Sequence, residues 1–94
     1  MNGETACRAD VWLWRARFFK TRSLAARCID EGKARMVRGD TTVRIDKASR
    51  QVRQGDGLVM ALGGRLIAVR IEALGERRGS PSEARRLYSE LPSG

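Results

Sequence analysis

Two consecutive glycines, Gly63 and Gly64, impose the tightest local constraint on this chain. They separate residues 58–62 from residues 65–73, two apolar runs of strand length. A two-residue hairpin turn needs positive φ at both central positions, which glycine adopts without a Cβ penalty. The pair therefore predicts a tight antiparallel hairpin. In the second run Ile67, Val69, Ile71 and Ala73 alternate onto one face, while Leu66 and Ala68 leave the other partly apolar. A chain with such a hairpin contains a sheet, and one face of that sheet needs a cover.

The upstream sequence supplies the cover. Asp10 can cap a first helix over residues 11–18, with Leu13 and Ala16 on one face and Trp12 and Phe19 close by. Thr21 is a good N-cap for a second helix over residues 22–31. There Leu24, Ala25, Cys28 and Ile29 form one apolar stripe and leave Arg22, Arg27 and Glu31 outside. Gly32 follows as the C-cap. The period then changes: residues 34–37 and 42–45 read as short strands around a turn at Arg38-Gly39. Residues 46–57 are polar and turn-rich.

Near the end, Ser80-Pro81-Ser82-Glu83 combines an N-cap, a proline at the first helical position and a glutamate three residues after the cap. It predicts a closing helix over residues 81–90, with Ala84, Leu87, Tyr88 and Leu91 as its apolar side. The pattern contains no internal repeat. The expected architecture is α+β: a helix pair packed on a small twisted antiparallel sheet, with a C-terminal helix. The 94 residues suffice for one such domain. Residues 1–7 are expected as a flexible lead-in, 8–76 as the domain, and 77–94 as the C-terminal helix and tail.

Charge narrows the function. There are 19 Lys and Arg against 11 Asp and Glu, a formal +8 and a pI near 11.0. A pI above about 9 in a single domain is the footprint of a polyanion binder; a merely soluble basic surface is the bland alternative. Only Lys20, Lys33 and Lys47 are lysines. The remaining cations are arginines, which fork onto phosphate, stack on bases and keep their charge. Between Arg8 and Arg38 nine basic residues meet three acidic ones, a net +6 of the chain's +8. The candidates for phosphate contact are Arg8, Arg15, Arg17, Lys20, Arg22, Arg27, Lys33, Arg35 and Arg38, with Thr21 at the corner between the helices. Arg22 also opens the second helix, whose free N–H groups attract anions. Arg77 and Arg78 could add a second contact. For each, an idle solvated side chain is the alternative. Trp14 falls away from the Leu13 and Ala16 stripe and is the best candidate for stacking on a base; simple core packing is the alternative.

Catalysis finds no support. There is no histidine to act as a base and no glycine-rich phosphate loop before a helix. Asp30-Glu31 and Asp40-Asp46 read as surface charges. Cys7 and Cys28 without histidine cannot complete a common structural zinc set; Cys28 reads as a core residue and Cys7 as an incidental thiol. No catalytic residue, cofactor or metal is expected. No apolar run approaches the roughly 18 residues of a membrane span, so the expected place is the cytoplasm.

The string from Arg8 to Ala25, with Asp10-Val11-Trp12-Leu13-Trp14-Arg15 and Phe19-Lys20-Thr21-Arg22-Ser23-Leu24, resembles the RNA-binding domain named after ribosomal small-subunit protein four. Its aromatic form looks like the heat-shock protein fifteen branch of that family. The resemblance continues through Ile29, Glu31-Gly32-Lys33, Val37, Gly39, Lys47, Ser49, Gly55-Asp56, Arg77-Arg78, Ser82-Glu83-Ala84 and Tyr88, and covers about residues 8 to 90. It implies the family's fold, a helix pair on a small sheet (the alpha-L motif). It also implies binding of structured RNA: ribosomal RNA of the large subunit, in a ribosome-associated stress or recycling role. By the same resemblance Arg8, Lys20, Arg22, Lys33 and Arg35 lie in or near the RNA-facing surface. Two departures stand out. Val37-Arg38-Gly39 replaces the family's usual Val-Asn-Gly, and the branch often continues into a long basic C-terminal tail. The chain is expected to act as a monomer. Two rival readings use the same basic face: an adaptor for an acidic protein, and a DNA-binding regulator.

Overall fold

In chain order the elements are β1 (Cys7–Arg8), α1 (Ala9–Arg15), α2 (Arg22–Asp30), β2 (Ala34–Arg38), β3 (Thr41–Arg44), β4 (Gln51–Val52), β5 (Gly57–Leu62), β6 (Arg65–Ile71), α3 (Pro81–Arg85) and β7 (Tyr88–Glu90). They come from a computed structural model that describes residues 5–91. The diglycine hairpin forms as expected. Gly63 and Gly64 take φ of 56° and 80°, and β5 pairs with β6 from Leu62 opposite Arg65 down to Gly57 opposite Arg70. The main sheet has the order β3-β2-β5-β6-β7, antiparallel throughout. A second ladder pairs β1 with β4.

Alternation along the strands decides which face is covered. Met36, Leu58, Met60, Val69 and Ile71 are buried on one face, together with Trp12, Leu13, Ala25 and Ile29 from α1 and α2. The opposite face carries Arg35, Val59, Ala61, Leu66 and Arg70, and Leu66 stays 76% exposed. The helix pair thus covers one side of the sheet only, and the basic corner sits on the covered side.

The ends of α1 differ from the sequence expectation. The helix begins at Ala9 and stops at Arg15, not over residues 11–18. Arg8, with extended backbone, occupies the N-cap position. Asp10, expected as the cap, lies inside the first turn and accepts the Val11 N–H at 2.8 Å. At the other end Arg17 turns left-handed with φ 65°. Its N–H donates to the Trp14 carbonyl at 3.1 Å, and the Phe18 N–H donates to the Leu13 carbonyl at 3.1 Å. This is a Schellman closure, which normally carries glycine at the left-handed position. The end of α2 has the same pair of bonds, and there the position is Gly32, φ 78°. An arginine at such a position hides the helix end from a reading of the sequence.

What holds Arg17 there is a tertiary bond: its Nε donates to the Gly79 carbonyl at 2.7 Å. A left-handed non-glycine residue costs roughly 1 kcal/mol. Arg17→Ala keeps that cost and loses the bond, whereas Arg17→Gly loses the bond and the cost. Urea unfolding should therefore find the glycine variant more stable than the alanine variant by about 1 kcal/mol. Equal midpoints would mean that no strain is stored at this turn.

Three more corrections concern short elements. The helix expected over residues 81–90 ends at Arg85, and Tyr88–Glu90 becomes β7, pairing with Val69 to Ile71 of β6. The Ser80 cap is as expected and accepts the Glu83 N–H. The chain then turns because the Leu87 carbonyl accepts the N–H groups of Glu72 and Ala73. Those bonds outweigh a weak helical pattern. Within the polar stretch 46–57 lies β4, whose Val52 is fully buried; two residues are too few to show a period. Cys7, placed in the lead-in as an incidental thiol, is 5% exposed and belongs to β1, whereas residues 1–4 lie outside the described residues.

Candidate nucleic-acid interface

The helix pair builds one corner around Lys20, Thr21 and Arg22, all exposed. Thr21 is extended and its Oγ1 accepts the Leu24 N–H at 3.1 Å, which starts α2 where the sequence predicted. No acidic side chain stands in the first turn of α2. The free N–H groups of that turn therefore add their partial positive charge to Lys20 and Arg22. Arg27 is exposed one turn further along. Among the described residues, none of these three cations forms an ion pair. Among the described residues Lys33 pairs only with exposed Glu31 at 3.1 Å, a contact of little energetic weight.

Other candidates have internal partners. The Arg8 guanidinium is bidentate on Asp10, both bonds at 3.0 Å. That hydrogen bond, aided by the charge of Asp10, raises the Arg8 pKa further above its usual range. Arg15 donates to the Gly75 carbonyl at 2.9 Å, and Arg17 to Gly79 as described. Arg38 forks onto Asp56 at 2.9 and 2.8 Å. It lies within β2, and Gly39 takes the left-handed turn (φ 61°), so the Val-Arg-Gly departure leaves the turn intact. Arg35 points to the uncovered face, directly opposite Arg44 across the β2–β3 ladder. The structure thus brings Lys20, Thr21 and Arg22 together at the start of α2, places Arg27 in the last turn of that helix, and turns Arg35 to the uncovered face of the sheet.

Trp14 is half-buried. The Arg78 guanidinium stands 6.0 Å from the ring centroid. Leu24, expected in the buried stripe of α2, is 43% exposed. It borders a shallow groove of about 220 Å³ with Phe19, Arg27, Ala61 and Leu62. Helix periodicity shows which side faces inward but not how far the partner surface extends, and Leu24 lies at its rim. Cys28 is 6% exposed, and burial pushes its thiol pKa up against the pull of Lys33, which keeps it a thiol. Among the described residues no three potential metal ligands cluster, and no helix is long and apolar enough to cross a membrane.

Asp56 is 4% exposed although the sequence placed it in a polar turn. Burial alone would push its carboxyl up. The bonds from Arg38 and the Arg53 N–H, with the charges of both arginines, outweigh that and hold it below the usual carboxylate range. A depressed folded pKa stabilises above the unfolded value and is lost as pH falls through the folded one. Urea midpoints of the wild type should therefore drop on acidification below about pH 4. Asp56→Asn should be less stable at neutral pH and lose less over the same acid range. Parallel acid curves for the two proteins would contradict this assignment.

Comparison with known proteins places this geometry. The heat shock protein 15 homolog of Haemophilus influenzae is 37% identical over 90 residues, covering 96% of this chain and 65% of the relative. Heat shock protein 15 of Escherichia coli strain K12 is 39% identical over 83 residues, 88% of this chain and 59% of the relative. The solved structure of Vibrio cholerae heat shock protein 15 superposes with a TM-score of 0.79 at 34% identity, covering 92% of this chain and 82% of that one. The chain belongs to the heat shock protein 15 family. It spans 65% and 59% of the length of the two curated heat shock protein 15 relatives named above. The Vibrio cholerae heat shock protein 15 is described as trimeric, an assembly stated for that protein. No family model matches the chain.

Proposed function

We propose that this heat shock protein 15 family member is a non-catalytic binder of structured RNA, with ribosomal RNA of the large subunit as its target. It would work in the cytoplasm, in a ribosome-associated stress or recycling role. The observation that carries the reading is the corner itself: Lys20 and Arg22 stand exposed, with no ion pair among the described residues, at the start of a capped helix that has no acidic residue in its first turn, and exposed Arg27 follows in its last turn. The resemblance of residues 8 to 90 to the small-subunit protein four type of RNA-binding domain supports RNA over DNA. Phosphate contacts would supply most of the affinity, and the shape of the folded RNA most of the selectivity.

The number of cations limits the salt dependence. With Lys33 included, three to four phosphates are in play, which corresponds to a logarithmic salt slope of about −2 to −3.5. A filter-binding titration with structured ribosomal RNA over a range of salt measures it. Binding that ignores salt refutes the reading. Equal binding of duplex DNA under the same salt favours a DNA-binding regulator. No retention on RNA, with an acidic protein partner surviving nuclease treatment, favours an adaptor.

A further inference from the structure

We infer that Arg78 is a positioning residue: it sets the RNA-facing corner without itself touching RNA. The inference rests on the RNA-binding reading above and adds a residue that acts through Lys20 and Arg22.

The connection between α1 and α2 is short and irregular, and it leads straight into Lys20. Arg78, from the loop before α3, bridges both ends of it. Its Nε donates to the Trp14 carbonyl at 3.2 Å, and its Nη2 to the Phe19 carbonyl at 3.4 Å. The same guanidinium covers the Trp14 ring. The Phe19 carbonyl belongs to the peptide unit that carries the Lys20 N–H, so one of these bonds holds the backbone of the corner directly. The reverse direction is also tied, because Arg17 of the connection donates to the Gly79 carbonyl, next in sequence to Arg78.

The chemistry favours a brace over a phosphate contact. Arg78 is only half-exposed, and its fork is already aimed at two carbonyls and a ring face. A planar guanidinium can bridge two acceptors with fixed geometry; an ammonium of the same charge cannot hold them in one plane. Arg78→Lys therefore separates charge from geometry.

The test is a double-mutant cycle on RNA affinity with Lys20→Ala, Arg78→Lys and the pair, together with amide hydrogen exchange of the RNA-free proteins. The expected result is roughly a tenfold affinity loss for Arg78→Lys despite the retained charge, within the range of coupled contacts. In that background Lys20→Ala should cost clearly less than in the wild type. Exchange should quicken at residues 16–22, while the amides of β5 and β6 keep their protection, which a general structural role would not allow. Affinity unchanged in Arg78→Lys, or losses that simply add, overturns the inference and makes Arg78 a bystander or an independent contact. If the wild type fails to bind RNA, the RNA reading falls. The exchange arm then still decides whether Arg78 orders the connection.

Discussion

The double substitution Lys20→Glu with Arg22→Glu is expected to lower RNA affinity roughly 100-fold or more and leave the fold intact. Each cation would lose a charge-assisted contact of about 1.5 to 3 kcal/mol, and two such losses reach that factor. Both side chains are exposed and neither forms an ion pair among the described residues, so removal strands no partner. The sign of the stability change sharpens the test. Glutamate at position 22 enters the first turn of α2, where a negative charge favours the helix by about 0.3–1 kcal/mol. The unfolding midpoint should hold or rise slightly while binding disappears. Measured together by RNA titration and urea unfolding, the two readouts separate lost recognition from lost structure. A variant that unfolds would show that the corner is packed instead of free. A variant that still binds tightly would move the interface elsewhere on the molecule.

The second large effect is expected at the centre of the core. Trp12→Ala should cost about 3–5 kcal/mol. Trp12 is completely buried, its ring centroid lies 6.1 Å from that of Phe18, and Phe18 in turn meets Tyr88 of β7 at 4.7 Å. Its Nε1 donates to the Ala73 carbonyl at 2.9 Å, which fastens α1 to the end of β6. The substitution removes a large apolar side chain and leaves that carbonyl without its donor. Against a total stability of about 5–15 kcal/mol for a domain of this kind, that loss removes a large part of the margin and should lower the unfolding midpoint by more than about 10 °C. Trp12→Phe keeps most of the ring and loses the donor, and should cost about 1–2 kcal/mol. Thermal unfolding followed by circular dichroism orders the three proteins. A Trp12→Ala midpoint close to that of the wild type would mean that the Trp12 pocket can collapse without penalty.

How much of this was legible in the residues depends on where the stabilising interactions lie. The diglycine hairpin, the Thr21 cap, the Gly32 end of α2 and the Ser80 cap all act within a few residues of themselves, and each was read correctly from the sequence. The errors fall where a distant partner decides. Residues 88–90 join β6 because that edge offers unpaired backbone groups, and no local periodicity announces it. Val52 and Cys7 pair across 45 residues in a ladder of two, below the length at which alternation shows. At Arg17 the left-handed turn survives because the Gly79 carbonyl accepts its side chain, a bond between residues 62 positions apart that no local pattern shows.

The site divides along the same line. Lys20, Thr21 and Arg22 stand out in the sequence because helix start signals and unopposed charge are local features. Arg8, Arg15 and Arg38 were counted with them because a sequence shows charge but not its partner. The bidentate fork of Arg38 on Asp56 joins residues 18 positions apart, and only the β2–β5 pairing brings them together. Arg35 takes the opposite face by one step of alternation: its neighbours Ala34 and Met36 face the helices, so Arg35 faces away. Charge alone thus marks a wide basic surface, and the structure divides it into cations tied to internal partners and the exposed Lys20, Arg22 and Arg27.

The most direct measurement is crosslinking of the tagged protein to RNA in cells, followed by sequencing of the bound fragments. Enrichment at one or a few sites of large-subunit ribosomal RNA, lost in the Lys20→Glu and Arg22→Glu double variant, is the expected result. A signal no higher than background, or one that survives the double variant unchanged, would contradict it.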